Sequence, residues 1–399
     1  MKKTGLLGIF LFSMLIPVFV AAQSGFSGAY IGRFTTQERM SPAGEAEQHM
    51  RLYNRLMLRY EPTEKLAVRT ALRRADFFQE EVGSTDIYYG YVYYEPLEWA
   101  NIKVGRQYPY SKMIRRAVDG GSAEITFKPG LTLEGLVGVF APYDRDGFTE
   151  TPEDERGSYV GLQYKAPNMA SIRGSFYQQV SNGRILNFAG LDGRYVDLYG
   201  FNLYGFFKFN FSESLVQEAE GQLSRGIGEN LNATLAFKYR DPNFDIPVWY
   251  WQFNVDPYST LRASLDFFAT ANGSITAEYF SRIMNNVTIN RYKLGWQALN
   301  WSLGAVYAVE DEKVNEEWNF YGSVQHHFFN RKLLVGAGAN YFDYIFTDVY
   351  EDPLNAFGVQ LFAKYRIWNA LIIGARGYYI ENARYDEDVR AVGELSYQF

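Results

Sequence analysis

Apolar and polar residues alternate with a period of two along most of this chain. In MRLYNRLMLRY (50–60), Leu52, Leu56, Leu58 and Tyr60 share one face, interrupted by Asn54. Arg51, Tyr53, Arg55, Met57 and Arg59 share the other. LAVRTALR (66–73) sets Leu66, Val68 and Leu72 against Arg69 and Arg73. LNATLAFKY (231–239) and LRASLDF (261–267) repeat the scheme, with Leu231, Leu235, Leu261 and Leu265 among the apolar set. Successive side chains of a strand point to opposite faces, whereas helical neighbours recur every third or fourth residue, so these segments predict β-strands.

Two kinds of link separate the strands. Short, turn-rich links fall at 61–64, 95–98, 128–130, 166–168, 210–213, 271–273, 329–331 and 368–369. Longer polar links fall at 35–49, 107–120, 142–157, 181–193, 310–316, 343–353 and 381–388. Over much of the chain the two kinds alternate, which is the asymmetry of a barrel with short turns at one rim and longer loops at the other. Every credible strand counted gives about 22, an even number; merging weak candidates within 214–283 widens this to about 18–22. A soluble β-sandwich is the competing fold. Aromatic clusters such as IYYGYVYY (87–94) and VWYWQF (248–253) favour the barrel, because tyrosine and tryptophan suit the boundary between membrane and water. The expectation is an all-β fold, a transmembrane antiparallel β-barrel of about 18–22 strands. Alternation already runs through FSGAYIGRF (26–34), which leaves no room for a plug domain ahead of the barrel.

Composition sharpens this picture. Residues 1–22 combine a basic start (Met1-Lys2-Lys3), an apolar run and Val20-Ala21-Ala22, the pattern of a secretory signal peptide, so the barrel is expected to occupy 23–399. Loss of Lys2 and Lys3 would take the net charge from −6 to −8. After the leader no run of eighteen apolar residues remains, so no helix is expected to span a membrane. Yet 18% of residues are aromatic and 32 are tyrosine, as in barrels whose strands alternate between lipid and lumen. There is no cysteine, which excludes disulfides and thiolate metal sites.

The segment AVGELSYQF (391–399) alternates up to its last residue, with Leu395, Tyr397 and Phe399 on one side. It resembles the C-terminal signal that the bacterial barrel-assembly machinery reads, and the resemblance assigns Leu395, Tyr397 and Phe399 to that signal. Phe399 is also expected to anchor the closing strand in the aromatic belt.

The charges most informative about chemistry are arginines. Residues 51–74 carry seven cations (Arg51, Arg55, Arg59, Lys65, Arg69, Arg73, Arg74) and two acids, Glu61 and Glu64. Arg51, Arg55 and Arg59 are spaced by about 13 Å along one face of an extended strand. An arginine facing lipid at mid-membrane costs about 2–4 kcal/mol, so that face is expected to look into the lumen. With Arg69 and Arg73 on the next strand, it would form a basic ladder along the pore, suited to handing an anion along by bidentate contacts. The alternative is that Glu218, Glu220, Asp266 or Glu278 neutralises it.

IKVGRQYPYSKMIRRAVDGGSAEITF (102–127) carries a second basic group. A strand ends at Gly105-Arg106-Gln107, and a loop bearing Lys112, Arg115, Arg116 and Asp119 leads to Gly120 and Gly121. The GRQ…DG pattern resembles that of alginate-export-like and related substrate-specific porins. The resemblance implies a barrel and a diffusion role, without a substrate. If the loop folds inward its cations line a constriction; the alternative is a loop lying flat on the rim.

Acids cluster in the longer links, in DRDGFTETPEDE (144–155), EDEKVNEE (310–317) and YDED (385–388). DRDG has the letters of a calcium loop, but Phe148 stands where another oxygen ligand is needed, and no metal site is expected. His49, His326 and His327 are the three histidines, the last two adjacent and therefore on opposite strand faces. No nucleophile-elbow, zinc-protease or phosphate-loop motif occurs, and an acidic secreted chain gives no support to nucleic-acid binding. The sequence therefore predicts a Gram-negative outer-membrane porin for passive or facilitated diffusion of small anionic or polar solutes, with no catalytic residues and no cofactor. Its expected surroundings are outer-membrane lipids, lipopolysaccharide and the barrel-assembly machinery, with a homo-oligomer or a periplasmic partner left open. Two other readings stand beside it: a sheath around a partner such as a periplasmic cytochrome, and a rim enzyme built on His49.

Overall fold

The computed structural model describes residues 25–399, apart from 41–45, 79–81, 110, 115, 142–154, 167–169, 182, 242–255, 271, 286, 311–315, 345–353 and 383–384. The predicted leader, Arg115 and most of the first two acidic links lie outside the described residues. Twenty-two strands form one sheet. They are β1 (Phe26–Met40), β2 (Ala46–Thr63), β3 (Leu66–Phe77), β4 (Val82–Leu97), β5 (Ala100–Gln107), β6 (Val118–Lys128), β7 (Leu131–Phe140) and β8 (Arg156–Lys165). Next come β9 (Ala170–Ser181), β10 (Arg184–Leu198), β11 (Phe201–Asn210), β12 (Leu215–Ile227), β13 (Leu231–Arg240), β14 (Tyr258–Thr270) and β15 (Gly273–Met284). The last are β16 (Val287–Ala298), β17 (Trp301–Glu310), β18 (Glu316–Phe328), β19 (Leu333–Tyr344), β20 (Leu354–Trp368), β21 (Leu371–Asn382) and β22 (Tyr385–Gln398). Each strand pairs antiparallel with its neighbours in sequence, and β1 pairs with β22 in a register that sets Tyr30 opposite Tyr397. The sheet thus has no free edge, which closes every backbone ladder without water. Phe399 extends the seam, exchanging backbone hydrogen bonds of 2.9 and 3.1 Å with Gly28.

The links sort by rim. Every link from an even strand to the following odd one has two to four residues, from Glu64-Lys65 between β2 and β3 to Asn369-Ala370 between β20 and β21. The opposite rim carries all the longer ones, including 108–117, 141–155 and 241–257. Four expected links change place: residues 35–40 belong to β1 and 46–49 to β2. Residues 184–193 belong to β10, and β22 begins at Tyr385, because strands facing a wet lumen carry polar residues at every second position and read locally as loop. The link at 211–214 lies on the long-loop rim, not the short-turn rim.

The two faces differ as a membrane requires. Val137, Leu294 and Leu361 on the outer wall are 64%, 61% and 60% exposed, an apolar surface suited to lipid. The buried cluster is on the other side. Met113, Ile114, Leu136, Phe140, Tyr159, Tyr177, Phe188 and Phe206 pack together within the lumen.

Candidate functional site

Register assigns the arginines to a face. A continuous cross-strand row runs Ala67, Tyr93, Lys103, Ser122, Leu136, Tyr159, Tyr177, Phe188. Its far end lies in the lumenal cluster, so its near end on β3 is lumenal too. Arg69 and Arg73 stand at even spacing from Ala67 and share that face. Across the β2–β3 ladder Arg59 faces Arg69, Arg55 faces Arg73, and Arg51 faces Phe77. Ala71 between Arg69 and Arg73, and Ala67 and Ala75 on either side of them, are buried; small side chains there leave room for the long guanidinium arms.

The local acids are few. Arg73 pairs with Asp86 at 2.7 Å. Glu61 pairs with Arg59 and lies 3.8 Å from Arg69. Arg55 rests on the ring of Tyr88, 4.9 Å from its centre, and Arg51 on Phe77 at 5.1 Å; neither engages a carboxylate among the described residues. The four acids that could have neutralised the ladder are committed elsewhere. Glu218 holds Lys238 at 3.1 Å, Glu278 holds Arg262 at 2.6 Å, and Glu220 holds Lys112. Asp266 accepts a hydrogen bond from Thr276.

Loop 108–117 leaves β5 and reaches across the lumenal face of β6–β12. Met113 and Ile114 are 2% and 4% exposed in the cluster. Lys208 of β11, itself buried, donates to the Met113 carbonyl at 3.3 Å. Lys112 donates to Glu220 of β12 and lies over the Tyr204 and Phe206 rings at 4.4 and 5.4 Å. Burial pulls the Lys112 ammonium down, but hydrogen bonds to Glu220 and Tyr204 outweigh it and hold the group above the ordinary lysine value. Arg116 pairs with Glu155 and sits 5.0 Å above Phe140. Gly190 on β10 is the floor under Met113: a Cβ there would come within 2.3 Å of the Met113 sulfur.

Arg106 and Asp119 do a different task from the one expected of pore-lining residues. They lie opposite each other on β5 and β6, on the same face as Val104 and Val139 of the outer wall. Arg106 makes a bidentate contact with Asp119, both hydrogen bonds 2.7 Å long, and donates to the Ile87 carbonyl at 2.9 Å. On the lumenal face Gln107 accepts from Ser122 at 2.7 Å. The GRQ…DG residues thus clasp the two roots of the loop. Gly105 is required by that clasp, with φ +123° and no space for a Cβ beside the Gly90 carbonyl.

Lys208, Glu220 and Gly190 were not singled out by sequence as loop contacts, although FFKFN (206–210) carries its lysine at an alternating polar position. His49 faces Gln37 on β1, and His326 lies edge-on to Phe328. Among the described residues no group of three or more histidine or acidic side chains could hold a metal ion.

With its closed sheet, apolar outer wall and polar interior, the chain has the transmembrane β-barrel fold of outer-membrane proteins. It is similar in fold to the P pilus usher (PapC) translocation pore, with TM-score 0.58 and 7% identity over 94% of this chain and 99% of that one. It also matches Pseudomonas aeruginosa OccK5 (OpdH), with TM-score 0.46 and 10% identity over 94% and 98% of the two chains. Pseudomonas aeruginosa OccK2 (OpdF) in complex with glucuronate matches with TM-score 0.41 and 10% identity over the same shares. At these identities the likeness concerns the barrel fold alone. No family model matches the chain, and no curated relative does.

Proposed function

We propose that the protein is a porin of the Gram-negative outer membrane, through which small anionic or polar solutes diffuse. The observation that carries this reading is the pair of positions at which arginine stands opposite arginine across β2 and β3. Like charges directly opposite each other destabilise a sheet, so their presence on a wall with two nearby carboxylates argues for use rather than for packing. The wall carries five guanidinium groups, Arg51, Arg55, Arg59, Arg69 and Arg73, against Glu61 and Asp86. That surplus lowers the barrier for an anion and gives it successive bidentate partners.

Lys112 and Arg116 of the inward loop form the second part of the path, each already paired, and set the width of the opening more than its sign. A loop held across one side of the lumen suits sieving of small solutes better than enclosure of a protein partner. Leu395, Tyr397 and Phe399 serve assembly in this reading, through the barrel-assembly machinery. Charge reversal tests it: Arg55→Glu with Arg59→Glu is expected to shift the reversal potential in a salt gradient toward cations. An unchanged reversal potential would remove the ladder from the path.

A further inference from the structure

A recess of about 430 Å³ opens in the lumen where the loop leaves β5. Tyr88, Tyr89 and Tyr91 of β4 line one side, and Tyr108 and Tyr159 line the others. The rings follow one another closely. Tyr88 and Tyr108 are 4.9 Å apart, Tyr88 and Tyr89 6.1 Å, and Tyr89 and Tyr91 6.0 Å. Tyrosine faces carry the negative side of the ring quadrupole; Tyr88 already holds the Arg55 guanidinium, and the neighbouring Tyr89 and Tyr91 faces are suited to attract an organic ammonium group.

Charge at the recess falls into two sets. Arg69 borders it from β3, beside the basic wall, and Lys103 from β5. Glu124 of β6 and Glu134 of β7 border it from the other edge and stand directly opposite each other. Glu134 lies 3.5 Å from Arg173 and accepts from the Tyr159 hydroxyl at 3.4 Å. Glu124 engages in no ion pair among the described residues. A cation entering between the tyrosines would relieve the opposition of the two carboxylates. The recess is thus dipolar, cation-accepting at one edge and anion-accepting at the other.

We propose that this recess is a binding subsite for zwitterionic solutes bearing an organic ammonium group. The ammonium lies against the tyrosine faces beside Glu124, and the carboxylate of the same solute faces Arg69. The subsite rests on the channel reading for the solute's arrival, and deepens it by naming a class that a purely basic wall would not select.

The test is isothermal titration calorimetry of the full barrel in detergent. Glycine betaine is the probe, and 3,3-dimethylbutanoate the comparison, having the same shape and carboxylate without the cationic charge. Saturable betaine binding, at least tenfold tighter than that of dimethylbutanoate, is expected. Tyr91→Leu is expected to weaken betaine at least tenfold, while Tyr91→Phe, which keeps the ring face, stays within twofold of the parent. Equal affinity for the two probes, no betaine binding, or a Tyr91→Leu barrel that binds unchanged would each overturn the subsite. Calorimetry needs no conduction. Betaine binding by a barrel that is silent in bilayers would sink the diffusion reading and uphold the subsite, and conduction without betaine binding would do the reverse.

Discussion

Arg55 and Arg73 face each other across β2 and β3 in direct register, with Asp86 paired to one of them and the Tyr88 ring beneath the other. A sheet selected for stability alone would place an acid at one of these positions. Opposed like charges cost about 0.2–1 kcal/mol per pair. Arg55→Gln is therefore expected to raise resistance to chemical unfolding by a few tenths of a kcal/mol to about 1 kcal/mol, and to weaken anion preference. Unfolding from lipid vesicles, followed by tryptophan fluorescence, measures the first; a reversal potential measures the second.

The loop is held by packing as well as by ion pairs. Met113 is buried against Phe188 and the Gly190 backbone. Met113→Ala removes a buried methionine from a tight site, which costs about 2–5 kcal/mol. That loss falls on loop docking, because the strands keep their ladders. Larger and noisier single-channel conductance is expected, with an unchanged thermal transition of the barrel.

Lys112 makes the latch dependent on pH in a specific direction. Its pKa is raised in the folded protein by Glu220 and Tyr204 against the effect of burial. A raised pKa means that the contribution is fully present below the ordinary lysine value of about 10.4 and is lost as pH rises through the higher folded value. Conductance is expected to stay level from neutral pH to about 10 and to rise above it, and Lys112→Gln is expected to abolish that rise. Bilayer recordings from neutral pH to well above about 10 decide it.

The Arg106–Asp119 clasp is partly exposed, with side chains 26% and 41% accessible. Exposed pairs are weak, about 0.2–1 kcal/mol. Asp119→Asn is thus expected to leave the barrel folded and to increase protease cleavage within 108–117. Ion selectivity is expected to stay as it was, because the pair lies on the outward register. A changed selectivity would return Arg106 to the path.

Much of the fold was legible because β2 and β3 alternate leucine and arginine so plainly that strand, face and lumen follow from one segment. β10 was less legible. Gly190, Asp192 and Arg194 occupy its lumenal positions, and a polar strand wall resembles a loop when its partner strands are out of view. The inward course of loop 108–117 could not be read locally. Its partners Lys208 and Glu220 lie 95 and 108 residues away, and only closure of the barrel brings them together. The GRQ…DG spacing was visible, but whether Arg106 faces lumen or lipid depends on register with β4 and β6.

The most direct measurement is the reversal potential of the refolded barrel in a planar bilayer under a tenfold potassium chloride gradient. An open pore that prefers chloride is expected, with the preference falling when Arg55 and Arg59 are reversed to glutamate. A pore that prefers potassium, or a closed barrel, would contradict a basic wall that conducts anions.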